Sequence, residues 1–166
     1  GGYDWSMSIY DLESKSLIKR IKVSPEKGLG FGIDLEFSPD GKHLIIGEDN
    51  KKARVFSSET WEELYEFPIE QGYCGGCLAF VKLHPQSGLL YKAEQKGIIR
   101  IYDLNKGQKV KDLAEIPFEI RNLDIHRNGK LLLAGEKEIR ILDANSGDSI
   151  LSFYPDVHEI NEAGFS

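Results

Sequence analysis

Short runs of alternating apolar and polar residues recur along the chain, each closing on an aromatic or aliphatic residue followed by Asp or Ser. They are Met7-Ser8-Ile9-Tyr10-Asp11, Ala53-Arg54-Val55-Phe56-Ser57, Ile99-Arg100-Ile101-Tyr102-Asp103 and Ile139-Arg140-Ile141-Leu142-Asp143. A period of two predicts β-strands. Their central residues lie 46, 46 and 40 positions apart. A second landmark recurs in the same order: Leu35-Glu36-Phe37-Ser38, Val81-Lys82-Leu83-His84, Leu123-Asp124-Ile125-His126 and Ala163-Gly164-Phe165-Ser166, in steps of 46, 42 and 40. Two landmarks that drift together mark an internal repeat.

Turn residues separate further apolar runs. Pro39-Asp40-Gly41, Pro85-Gln86-Ser87-Gly88 and Arg127-Asn128-Gly129 supply residues that tolerate positive φ. After them come strands predicted at Leu44–Ile46, Leu89–Tyr91 and Leu131–Leu133. Turns at Glu13–Ser16, Ser58–Thr60, Asn105–Gly107 and Asn145–Gly147 lead into a fourth run at Leu17–Ile21, Glu63–Phe67, Lys109–Leu113 and Ser149–Phe153. No window holds a helical period over three turns, and Trp61-Glu62-Glu63-Leu64 reads as the entry to a strand. Runs such as Leu44-Ile45-Ile46 and Leu131-Leu132-Leu133 are apolar on both sides, so both faces of their sheets must be covered. Four strands of about five residues in a repeat of about 40–45 predict an all-β chain of β-propeller blades, each hiding its neighbour's face.

Phe37-Ser38-Pro39-Asp40-Gly41-Lys42 and Gly1-Gly2-Tyr3-Asp4-Trp5-Ser6-Met7-Ser8-Ile9-Tyr10-Asp11 resemble the two halves of a WD40 repeat, and the resemblance runs the length of the chain. It implies four-stranded antiparallel blades and an interaction scaffold. The repeats are divergent. The family's Gly-His pair is absent. Its Trp-Asp tryptophan is Tyr10, Phe56, Tyr102 and Leu142 here, and its turn Asp survives as Asp4 but is Asn50, Lys96 and Glu136 elsewhere. The hydrogen-bonded tetrad of the family is therefore incomplete, which predicts heavier reliance on apolar packing.

On this alignment residues 1–28 form the end of a split blade, 29–70, 71–116 and 117–156 three blades, and 157–166 the first strand of the next. Gly1 aligns with Gly47, so the counterpart of Pro39–Ile46, a turn and a second strand, is expected outside this span. The expectation is a segment of about four blades from a larger propeller of about seven by analogy with the family. Its open edges would be covered by the remaining blades of a longer chain or by another subunit.

Composition narrows the function. The 166 residues are 40% hydrophobic and 29% charged, which excludes a disordered tail or a disulfide-dense scaffold. A formal charge of −6 argues against nucleic-acid binding by bulk charge. No apolar run reaches the roughly 20 residues of a membrane helix, and two cysteines predict a reducing, cytoplasmic setting.

Several motifs carry possible chemistry. Cys74-Gly75-Gly76-Cys77 has metal or redox spacing, but a closed zinc site wants four ligands and there is no second CxxC. His84, the nearest histidine, sits where sister repeats have Ser38 and Ser166. Gly28-Leu29-Gly30-Phe31-Gly32 lacks the following helix that a phosphate loop needs. His43, His84, His126 and His158 have no ligand spacing. Arg54, Arg100 and Arg140 are repeat-equivalent and read as a blade-stabilising ladder, with an acid-binding surface as the lesser reading. Asp34, Glu36, Asp124 and Glu162 fall on first strands. They predict a polar axial channel, or, in an alternative reading, an enzymatic or small-ligand and metal-binding propeller with an acidic axial site. No catalytic residue, cofactor site or metal site is predicted. The loops between blades remain as the candidate protein-binding surface, with Phe31, Tyr73, Phe118, Glu119, Asp156 and His158 as contact residues.

Overall fold

A computed structural model describes residues 6–22, 34–47, 52–68, 79–94, 97–156, 158, 160 and 163–165. Among them are fourteen strands and no helix. Blade 1 pairs β1 (Ser6–Tyr10) with β2 (Leu17–Lys22). Blade 2 runs through β3 (Asp34–Phe37), β4 (His43–Gly47), β5 (Ala53–Ser57) and β6 (Glu63–Phe67). Blade 3 is β7 (Ala79–Leu83), β8 (Leu89–Glu94), β9 (Ile98–Asp103) and β10 (Gln108–Glu115). Blade 4 is β11 (Asn122–His126), β12 (Lys130–Ala134), β13 (Ile139–Asp143) and β14 (Ser149–Phe153). Every pairing is antiparallel between consecutive strands. The meander is the one the repeat predicts. β6 and β14 have the expected limits, whereas β10 runs past Leu113 to Glu115 through two bulges.

The second strands carry the core. In β4, Leu44 and Ile46 face blade 1 with Ile21 and Phe56, while Ile45 faces blade 3 with Val81, Leu83 and Leu90. In β12, Leu131 and Leu133 meet Tyr91, Ile99 and Ile101 of blade 3, while Leu132 and Ala134 meet Ile160, Ala163 and Phe165 beyond blade 4. Successive side chains of a strand point to opposite faces, so an unbroken apolar run supplies two interfaces at once. Ile45 and Ile46 are each 0% exposed. Burying a large aliphatic side chain contributes about 1.5–3 kcal/mol, so this doubly covered strand is the main source of cohesion.

The outer strands bulge at one repeated place. The register breaks between Ile9 and Tyr10, Val55 and Phe56, Lys109 and Lys111, and Ile141 and Leu142. That leaves Ile18, Leu64, Val110 and Ile150 unpaired in β2, β6, β10 and β14, all half-exposed.

The Asp or Ser that closes each sequence landmark builds the following turn. Asp103 Oδ1 accepts from the N–H groups of Asn105 and Lys106, and Asp143 Oδ1 from those of Asn145 and Ser146, at 2.8–3.2 Å. Asp11 takes the N–H of Ser14, and Ser57 those of Glu59 and Thr60. These side chains stand in for backbone acceptors. The N–H groups of Ser146 and Asn145 hold the Asp143 carboxyl below its ordinary value. The fourth residue on is left-handed in every repeat: Lys15, Trp61, Gly107 and Gly147. Trp61 accepts that conformation with its indole packed on the blade 1–blade 2 core.

Gly147 seats this turn of blade 4 on the outer strand of blade 3, where an added Cβ would lie 2.4 Å from the Leu113 carbonyl oxygen. Gly41 is equally left-handed, but nothing lies within 4 Å of its added Cβ. Gly41→Ala should therefore lose only the conformational penalty, about 1–2 kcal/mol. Gly147→Ala should lose at least about 1 kcal/mol more, because the backbone carbonyl must move. Urea denaturation of the two variants reads the difference, and equal losses would contradict the seating.

Candidate interaction surface at the blade junctions

The described residues of the crossings after β10 and after β14 are pinned by backbone bonds and buried aliphatic pegs. After β10, the Ile116 N–H donates to the Gly97 carbonyl at 2.9 Å, and the Arg121 N–H to the Ala134 carbonyl at 2.8 Å. After β14, the Ile160 N–H donates to the Glu136 carbonyl at 2.9 Å. Each crossing is thus tied to the turn between second and third strands at the same end of the propeller. Ile116, Ile120 and Ile160 are buried. A loop held at both ends presents its remaining side chains at little further entropic cost.

The predicted contact residues divide on this frame. Glu119, Asp156 and His158 are exposed. Phe118 is half-buried, lying against Gly135, where an added Cβ would be 2.6 Å from the ring, and beneath the Arg140 guanidinium at 5.3 Å. Its ring wedges the crossing against blade 4. Phe31 and Tyr73 lie outside the described residues, as do Cys74, Cys77 and the glycines 28–32.

The first-strand acids do something the sequence reading did not foresee. Asp34 Oδ2 accepts the Val81 N–H at 2.9 Å, and Glu36 Oε2 accepts the Leu83 N–H at 3.2 Å, both across the junction from blade 2 to blade 3. Asn122 Oδ1 takes the Ala163 N–H at 3.4 Å, and Asp124 Oδ2 the Phe165 N–H at 2.8 Å. Innermost strands are edge strands, with a row of N–H groups turned away from their own sheet. Acceptors of the preceding blade satisfy them. The alternation Asp34-x-Glu36 and Asn122-x-Asp124 was the available signal. At the junction between them the acceptor positions hold Phe80 and Lys82. There Asp124 Oδ1 takes the N–H of its own neighbour Ile125 at 2.8 Å, and Lys82 reaches back to Glu36 at 3.8 Å.

The three arginines each pair within their own blade. Arg54 meets Glu63 and the Lys22 carbonyl of blade 1, and stacks on Phe56 at 4.8 Å. Arg140 meets Glu138 at 2.9 Å. Arg100 bonds Glu94 and, at 3.0 Å, Asp112. Glu94 also takes Lys92 Nζ at 3.2 Å, and that ammonium reaches the Pro68 carbonyl of blade 2. Lys92 is 0% and Arg100 2% exposed, so this ladder rung is a buried network that locks blade 3 onto blade 2. The sequence shows Lys92 amid apolar residues but not its partners. Tyr91 adds a second polar lock: its hydroxyl donates to the Ala144 carbonyl of blade 4 at 2.9 Å, and burial, then the Asp143 charge, raise its pKa so that the proton stays.

His84 and His126 cap turns, their Nδ1 atoms accepting the N–H groups of Gln86 and Asn128 at 3.3 and 3.2 Å. Ser38 does the same work by accepting the His43 N–H at 2.9 Å. Among the described residues no three His, Cys, Asp or Glu side chains converge as metal ligands would.

Among the described residues, three four-stranded antiparallel sheets, a two-stranded sheet and repeated junctions make a β-propeller fold. No family model matches the chain. It is 27% identical over 128 residues, 75% of its length, to the WD repeat-containing protein 55 homologs of Drosophila simulans and Drosophila melanogaster. The chain spans about a quarter of these relatives, 24% of their length. In structure it is similar to a chain of the mitotic checkpoint complex (TM-score 0.76, 15% identity, 95% of this chain and 46% of that one). It is likewise similar to U3-55K (TM-score 0.77, 18% identity, 95% and 48%).

Burial, first, and then the neighbouring carboxylates of Asp34 and Asp124 raise Glu36 from 4.5 to about 7, against the lowering pull of Lys82 and the Leu83 N–H. The folded state therefore holds this proton more tightly than the unfolded chain. The stabilisation is fully present below about pH 4.5 and is lost as pH rises through about 7. Melting temperature should fall across that window, and Glu36→Gln, which keeps the acceptor oxygen, should flatten the profile. A Gln variant with an unchanged slope would contradict this assignment.

Proposed function

We propose that the chain is a non-catalytic interaction scaffold that binds protein partners through the crossings between its blades, as part of a larger propeller in a reducing, cytoplasmic setting. The observation that carries the reading is the pinned crossing. Ile116 and Ile120 anchor one loop and Ile160 the next, while Glu119, Asp156 and His158 stay exposed on the same end. The likeness to WD-repeat proteins, and to a chain whose structure was solved within the mitotic checkpoint complex, supports a role in assembly. Asp34, Glu36 and Asp124 are engaged with backbone N–H groups across the following junction, so the reading gives them a structural role; Glu162 lies outside the described residues.

Affinity capture from cell lysate followed by quantitative mass spectrometry tests it. The triple variant Glu119→Lys, Asp156→Lys, His158→Ala should lose captured proteins by about tenfold or more, the effect of removing a single hot spot. Phe31→Ala and Tyr73→Ala should each weaken the same capture. Arg127→Ala, in a turn at the opposite end, should leave it intact, and all variants should melt with the parent. Capture unchanged in the triple variant, or lost equally in Arg127→Ala, would overturn the loop assignment.

A further inference from the structure

Blade 3 buries a charge where its sister blades bury hydrocarbon. The antiparallel pairs put Ile46 opposite Arg54, Lys92 opposite Arg100 and Leu133 opposite Arg140, so the three are repeat-equivalent. Each is 0% exposed. Like charges directly opposite in a sheet repel, and a buried ionic group is often no more stable than an apolar side chain of similar volume. Ile46 and Leu133 pack into apolar clusters at the same place in the sheet. Cohesion between blades therefore does not account for Lys92.

Its partners give the reason. Glu94 Oε1 accepts Lys92 Nζ at 3.2 Å and also takes Arg100, whose Nε reaches Asp112 Oδ1 at 3.0 Å. The same ammonium donates to the Pro68 carbonyl at 3.2 Å. Pro68 directly follows β6, which ends at Phe67, and has no N–H to give to a ladder. The crossings after β10 and β14 are tied by backbone donors, Ile116 to Gly97, Arg121 to Ala134 and Ile160 to Glu136. The described start of the crossing after β6 is tied by a side chain of the following blade. Lysine ordinarily loses much rotamer freedom on being fixed, but here β8 holds its root and Glu94 its tip, so the anchor is set before any partner arrives.

We propose that Lys92 is a positioning residue. It fixes the point at which the chain leaves β6, and so orients the crossing that carries Tyr73 for a protein partner. Glu94 holds the ammonium in place beside Arg100, and the buried charge serves the loop, not the core. The need for a partner rests on the loop reading above, whereas the anchoring is measured without one.

Lys92→Leu in the 166-residue chain installs the side chain of Leu133 and leaves Glu94 paired with Arg100. Its urea midpoint should equal or exceed the parent's. Amide hydrogen exchange over positions 69–78 should quicken by about tenfold or more, while Val81, Leu83 and positions 117–121 keep the parent's rates. Lys92→Met, nearly as long as lysine but without a donor, should behave in the same way. Parent-like exchange over 69–78 in both variants would overturn the anchor. A lower midpoint with faster exchange at Val81 and Leu83 would overturn it too, since Lys92 would then hold the blades and not the crossing. Capture should fall in Lys92→Leu as it does in Tyr73→Ala. Faster exchange with capture unchanged would keep the anchor and sink the loop reading.

Discussion

The structure depends on a strand that is apolar on both sides. β4 and β12 each lie second in their sheets, and each sends alternate side chains to opposite neighbours. No blade can satisfy such a strand alone, because a single sheet leaves one face in water. Stacking blades around a ring removes both faces from water at every junction but the open ones. The repeat in the sequence is the imprint of that requirement.

Polar interactions then set the register that burial leaves loose. Apolar contact is non-directional, so one blade could slide on the next at modest cost. Asp34 and Glu36 prevent this by binding two particular N–H groups of β7, and Tyr91 fixes blade 3 against a carbonyl of blade 4. The buried Lys92, Glu94 and Arg100 act in the same sense, since charges out of water tolerate little displacement from their partners. Apolar packing is therefore only part of the account, and bonds that run between blades add to it.

The fold was legible because its signals are periodic. The turn glycines Gly41, Gly88 and Gly129 all take positive φ, and β6 and β14 begin and end where the repeat places the fourth run of each unit. The site was legible only in part. A loop position such as Glu119 or Asp156 can be placed by counting within the repeat, yet Phe118 turns inward because Gly135 leaves a space that no local pattern reveals. The acids were visible as residues, but their targets were not. A carboxylate that accepts an N–H 47 positions away looks the same in sequence as one that faces an open channel.

The alternation in β4 is the claim on which the rest stands, and a double-mutant cycle tests it most directly. Ile45 and Ile46 are neighbours in sequence and each 0% exposed, yet Ile45 shares a cluster with Leu90 and Ile46 does not. Unfolding free energies from urea titration of Ile45→Ala with Leu90→Ala should depart from additivity by about 0.5 kcal/mol or more, as touching side chains do. Ile46→Ala with Leu90→Ala should add to within about 0.3–0.5 kcal/mol. Equal coupling of both isoleucines to Leu90, or stronger coupling of Ile46, would contradict the account.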